Sequence, residues 1–184
     1  MKKLKYVLLV LSLSIVTLTC SKSDNPISPD DDIYEIEKYR AYSDIINSEF
    51  NEKICILDTT ASGYWIQNYE PSFLPDSIQS FFLDLKLETI KSYALLNQTR
   101  TKVIDKFNIS LEYSLISYNS NFDFSDPSIQ IIDLTNIAFN ELYSQAILYF
   151  GCMQVHGGYG RFLFLEKVEN TWTIKNVIYM WALK

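Results

Sequence analysis

His156 is the only histidine among 184 residues, and it opens the run His156-Gly157-Gly158-Tyr159-Gly160. An HGG stretch can serve as the oxyanion loop of lipases and esterases, where backbone N–H groups hold developing negative charge. That chemistry needs a serine on a Gly-x-Ser-x-Gly elbow, and the chain contains none. A phosphate loop is excluded as well, because no Gly-Lys-Ser/Thr is present. The ordinary reading is a hairpin whose glycines supply positive φ. Cys152 lies four residues before His156, which on a strand is about 13 Å, whereas proton transfer needs about 3 Å. A Cys–His dyad would therefore require a sharp turn between them. Arg161, directly after the glycines, could hold an anion, although a residue there is more often exposed on a strand.

The other chemically capable groups are dispersed. Asn119-x-Asn121-x-Asp123 with Asp126 has the opening spacing of a calcium loop, but an EF-hand needs Gly where Phe124 stands and Glu where Gln130 stands. An acidic turn is the simpler account. Asp58 and Glu166 could act as general acid and base only if the fold joined them, and nothing in their spacing requires it. Tyr64, Trp65 and Tyr69 share one loop and could stack on sugar faces; most of the rest of the chain's 13 Tyr, 11 Phe and 3 Trp fall at core spacings. Cys55 and Cys152 both sit within apolar runs. They can form a disulfide if the compartment is oxidising, or serve as small core residues. A bridge closing nearly a hundred residues would contribute about 4 to 5 kcal/mol.

Composition narrows the classes. The chain is 48% hydrophobic, 15% aromatic and 21% charged, which supports a buried core and excludes wholesale disorder. A net charge of -6 argues against a nucleic-acid partner, which needs clustered Lys and Arg. One histidine leaves little for His-based metal sites, and no cofactor motif is present.

The elements that must position these groups follow from periodicity. Asp32 and Glu35 form a capping-box-like start. Ile36, Tyr39, Ser43, Ile46 and Phe50, widened by Tyr42 and Ile45, predict an amphipathic helix. Lys53 to Thr60 (KICILDTT) reads as a strand buried on both faces. Ser62 to Pro75 reads as a loop. A second helix is expected from about Asp76 to Asn97-Gln98, with Ile78, Phe81, Phe82, Leu85 and Thr89 on one face. Leu111, Tyr113 and Leu115 alternate within a strand from about Phe107 to Ser117, followed by a loop to Ser128. Ile129–Phe139, Ser144–Met153, Tyr159–Val168 and Trp172–Trp181 are strand-like, with short breaks that predict an antiparallel meander. The expected class is α+β: two helices of the N-terminal half cover one face of an antiparallel sheet that ends in the four-stranded meander.

The first residues read as an address. Lys2, Lys3 and Lys5 precede an apolar run from Tyr6 to Leu18, which at about 20 Å is too short to span the roughly 30 Å hydrocarbon core. It fits a signal-peptide h-region. Thr17-Leu18-Thr19-Cys20 resembles the lipobox of bacterial lipoproteins, with Leu18 one place closer to the Cys than usual and Thr19 where Gly or Ala is commoner. The resemblance implies that residues 1–19 are removed and Cys20 is lipidated. Two or three acyl chains, at about 0.8 kcal/mol per buried CH₂, then hold the protein on the membrane. Ser21 in place of Asp implies the outer membrane by analogy with enteric lipoproteins. Residues 20–32 (CSKSDNPISPDDD) are then a tether reaching up to about 40 Å, and 33–184 a single domain. Loss of three lysines leaves 165 residues with net charge -9.

Tyr39-Arg40-Ala41-Tyr42-Ser43, Ile45-Ile46-Asn47, Ile56 to Thr60, Ile131 to Asn140, Gly158-Tyr159-Gly160, Leu165-Glu166-Lys167, Trp172 and Trp181 together resemble a family of small uncharacterised secreted bacterial proteins. That likeness implies the architecture and no activity. The expected role is a lipid-anchored envelope domain that binds another envelope protein or a glycan; an envelope hydrolase with a carboxylate site is the alternative.

Overall fold

A computed structural model describes residues 31–61, 78–117, 126 and 128–183. The first helix, α1 (Asp31–Glu49), leads into β1 (Ile54–Leu57). A helical turn at 78–81 precedes α2 (Leu87–Leu96). Six strands follow: β2 (Tyr113–Ile116), β3 (Gln130–Leu134), β4 (Ala138–Phe139), β5 (Gln145–Gln154), β6 (Gly157–Val168) and β7 (Thr171–Leu183). They form one sheet in the order β2-β1-β3-β5-β6-β7, with β4 paired to β5. The class is α+β with the helices in the N-terminal half, and β3-β5-β6-β7 is the predicted antiparallel meander. The N-terminal strands differ from expectation: β1 runs parallel to both β2 and β3. A parallel β1–β2 pair needs a long crossover, and α2 lies within it.

The helices do not share one face. Tyr39, Tyr42, Ile45 and Ile46 of α1 pack with Ile54, Ile56, Ile132, Leu148, Phe150, Leu163 and Leu165 on one side of the sheet. Ile90 and Tyr93 of α2, with Ile78, Phe82 and Leu85, pack on Ile147, Tyr149, Phe162 and Phe164 on the other. The cause is in β5, where the run from Ala146 to Cys152 is buried on both faces. Each such side chain gains about 1.5–3 kcal/mol on burial, so both faces must be covered. The expected two-layer arrangement is therefore three-layered.

Local departures have equally physical causes. Ile36, placed on the buried stripe of α1 by its spacing, is exposed, and the buried face instead includes Glu37 and Lys38. Glu37 is tolerated because Lys167 Nζ donates to both its oxygens at 2.9 Å, with Arg40 and the Trp172 indole N–H as further donors. The second helix breaks at 82–86, where Leu85 N–H bonds to the Phe82 carbonyl and Lys86 is extended. Leu111, Tyr113 and Leu115 all pack on the α1 side as their alternation requires, although the ladder spans only Tyr113–Ile116. Thr135 and Asn136 split the first meander strand. Tyr42 from one face donates to the Thr135 carbonyl, and Tyr93 from the other donates to its hydroxyl. Nearby, the Asn97 side chain donates to the Asn136 carbonyl and accepts from its backbone N–H, and the Asn136 amide donates to the Leu96 carbonyl. The Glu169-Asn170 break is a turn with both residues at positive φ, as two-residue hairpins require.

Candidate functional site

The glycine run is a hairpin, but its glycines answer a different need from the one expected: none has positive φ. They allow close approach. Asp133, Gly151, Gly160 and Trp181 stand opposite one another across β3, β5, β6 and β7. Tyr149 lies along this row and its hydroxyl accepts the Trp181 indole N–H at 2.8 Å. A Cβ on Gly160 would fall 2.0 Å from that hydroxyl and 2.3 Å from the indole nitrogen; one on Gly158 would fall 2.6 Å from the Cys152 carbonyl. The row is thus filled by Tyr149 and Trp181, and the backbone N–H groups of the run serve the β-ladder.

His156 is exposed in the β5–β6 turn, whereas Cys152 points into the α1-side core near Gln130. No dyad forms, and burial pushes the Cys152 thiol up to about 11, away from thiolate chemistry. Cys55 and Cys152 are both free. Cys55 lies with Leu57 and Ile131 on the face opposite Cys152, so the sheet separates the two thiols and a bridge between them is not formed. Glu166 pairs with Lys175, and β3 and β5 lie between its strand and β1, which ends just before Asp58. Three strand spacings amount to about 14 Å, too far for a joint acid–base site. Asp126 accepts from the Ser128 backbone N–H and hydroxyl, as an acidic turn does. Cys20, the loop of Tyr64, Trp65 and Tyr69, and Asn119, Asn121 and Asp123 lie outside the described residues.

Arg161 is not the exposed strand residue expected. Its side chain is 6% exposed, paired with Glu49 at the end of α1, and its guanidinium sits over the rings of Tyr159 at 4.8 Å and Phe150 at 5.5 Å. Its Nε has no hydrogen-bond partner. An anion there would compete with Glu49, so Arg161 anchors α1 to the sheet. Above it, Tyr179 is 62% exposed, edge-on to Tyr159 at 6.3 Å between centroids. Met180 and Leu183 follow on β7, and Val155 is exposed in the neighbouring turn. β7 is the edge of the sheet. Register shifts opposite Gly160/Arg161 and Phe164/Leu165, together with Lys175, blunt its free edge against strand addition.

Asp133 is the group that sequence reasoning missed. It lies on β3 beside a small cleft lined by Leu57, Thr59, Thr60, Ala61 and Arg100, at the carboxyl ends of the parallel strands. Burial raises its carboxyl to about 6, offset in part by Arg100, and its buried Oδ1 has no hydrogen-bond partner. Glu37 is buried too but fully supplied with donors; Asp133 is not. Nothing in QIIDL distinguishes it from an outward-facing residue of an alternating strand. The described residues bring no second carboxylate to the cleft, and no three of their His, Cys, Asp and Glu side chains converge as a metal site would. No described helix is long and apolar enough to cross a membrane. No family model, curated protein or solved structure matches the chain.

Proposed function

We propose that the chain is a lipid-anchored cell-envelope domain that acts by binding another envelope protein, with the exposed end of β7 as its contact surface. The observation that carries this reading is that Tyr179, Met180 and Leu183 near the end of β7 and Val155 in the adjoining β5–β6 turn are all exposed. Tyr and Met are enriched at protein interfaces, and a Tyr ring presents apolar area at low entropic cost. Tyr179 is backed by Tyr159 and by the Arg161–Glu49 pair, so a partner would meet a preorganised ring.

The anchor is supported by the order of the first residues: Lys2, Lys3 and Lys5, then an apolar run, then Thr19-Cys20 and a polar stretch. The partner would be met off the bilayer surface, at the end of a tether of about 40 Å at full extension. The alternative reading, an envelope hydrolase, has one supporting observation in the buried Asp133 carboxyl.

Two measurements test the reading. Intact mass of the membrane-extracted protein should give a chain starting at Cys20 with added acyl mass; a different start, or Cys20 without acyl mass, overturns the anchor. Cross-linking pull-down from the native envelope should recover a recurrent protein partner that Tyr179→Ala with Leu183→Ala abolishes. Recovery unchanged by those substitutions overturns the contact surface.

A further inference from the structure

Six exposed apolar side chains belong to elements that meet at the end of the sheet farthest from the exposed end of β7. Ile33 and Ile36 lie in the first turns of α1, Phe81 and Leu83 at the break before α2, Leu142 in the β4–β5 turn and Val168 at the close of β6. Contacts between these elements fix their common place. Tyr34 of α1 donates to the Ile137 carbonyl and packs edge-on against Phe139, just before the turn that holds Leu142. The Lys167 N–H bonds to the Ser144 carbonyl, its ammonium holds Glu37 of α1, and Gln145 donates to the Asp84 carbonyl. Leu83 at 81% and Leu142 at 79% are the most exposed large apolar side chains among the described residues. A single exposed apolar residue needs no explanation, but several on adjoining elements mark a contact surface.

The occupant follows from where the chain enters. Cys20 precedes the first residue of α1, Asp31, by eleven positions, which reach at most about 40 Å. On the lipid-anchor reading proposed above, on which this inference rests, the bilayer therefore stays within that reach of this end. Tethering at such range lets even weak apolar contacts take hold. The charges select the lipid: Asp32, Glu141 and Glu169 are exposed on the same elements and would repel anionic head groups. Zwitterionic lipid carries no such penalty. We infer that this end of the domain seats on the zwitterionic lipid surface that holds its own anchor, with Ile33, Ile36, Leu83 and Leu142 entering the head-group layer. β6 runs from Gly157 to Val168, about 36 Å, so Val155 and the end of β7 then stand clear of the bilayer.

The test uses the full chain extracted from its membrane and reconstituted in vesicles of phosphatidylethanolamine and phosphatidylcholine. Leu142→Cys and Val155→Cys are each labelled with bimane, while the buried Cys55 and Cys152 stay unlabelled in the folded chain. Circular dichroism checks folding, and flotation with the vesicles is scored first. A chain that does not float overturns the anchor and this inference with it. In the floated protein, spin-labelled phosphatidylcholine should quench position 142 at least about threefold more than position 155, as head-group burial requires, and aqueous iodide should do the reverse. Ile36→Ser with Leu83→Ser should lower lipid quenching at position 142 at least about threefold, because two apolar contacts are lost. Phosphatidylglycerol in place of part of the phosphatidylcholine should lower it too. Quenching no stronger at 142 than at 155, unaffected by those substitutions, or strengthened by phosphatidylglycerol overturns the seat while the anchor stands. A label at 142 shielded from both quenchers marks a protein or a second copy on this end and overturns it as well.

Discussion

Replacing Asp133 with Asn should stabilise the protein at neutral pH, and the size of the gain can be worked from the fold. The carboxyl titrates near 6 in the folded chain against an ordinary value of 3.8, because burial penalises its charged form more than Arg100 relieves it. The folded state therefore holds the proton more tightly than the unfolded state. Well below pH 4 both states are protonated and the carboxyl contributes no penalty. As pH rises through 4 to 6 the penalty grows, and above 6 it is complete. A shift of about two units at 1.36 kcal/mol each gives a ceiling near 3 kcal/mol, and partial exposure reduces it to about 2 kcal/mol. Asn keeps the shape and removes the charge. Asp133→Asn should thus raise the melting temperature by about 4–8 °C at pH 7 and by almost nothing at pH 3. Urea unfolding at both pH values provides a second readout. A variant no more stable than the wild type at pH 7, or an equal gain at both pH values, would refute the reasoning.

Three other substitutions or probes follow from the same contacts. Gly160→Ala should cost about 3 kcal/mol, because its Cβ would collide with Tyr149 and Trp181, whereas Gly151→Ala, with nothing nearer than 3.4 Å, should cost under about 1 kcal/mol; thermal melts compare them. Glu49→Gln should cost about 2–3 kcal/mol by stranding buried Arg161, and adding Arg161→Met should recover most of that loss in a double-mutant cycle. Alkylation at pH 8 without reductant should label neither Cys55 nor Cys152 while folded and both after denaturation. Mass spectrometry reads this directly, and failure to label the denatured chain would show that a bridge exists.

What the sequence made legible was local. Strand-like segments separated by short breaks are enough to predict β5, β6 and β7, because each hairpin turn is closed by neighbouring residues such as Glu169-Asn170. KICILDTT announced a strand buried on both faces, and β1 is one. The parallel pairing of β1 was not legible, since its partners lie 59 and 76 residues away and strand direction leaves no mark in composition. Nor was the second helix layer, although β5 held the clue in a run apolar at successive positions rather than alternate ones. The break at 82–86 escaped because Ile78, Phe82, Leu85 and Thr89 keep helical spacing through it. Arg161 read as exposed because its partner, Glu49, is 112 residues away. Asp133 left no signal at all: its chemistry arises from Thr59 to Ala61 and Arg100, which only the folded sheet brings beside it. The glycine run did announce itself, but for close packing under Tyr149 rather than for turn geometry.

The central claim is that the end of β7 meets a partner protein while the sheet's other surfaces do not. The most direct measurement places a photoreactive amino acid at Tyr179 and, separately, at exposed Lys91 of α2, in the full chain expressed in its native envelope. Irradiation should give one discrete cross-linked protein species from position 179 and none from position 91. No cross-link from 179, or the same species from both positions, would contradict it.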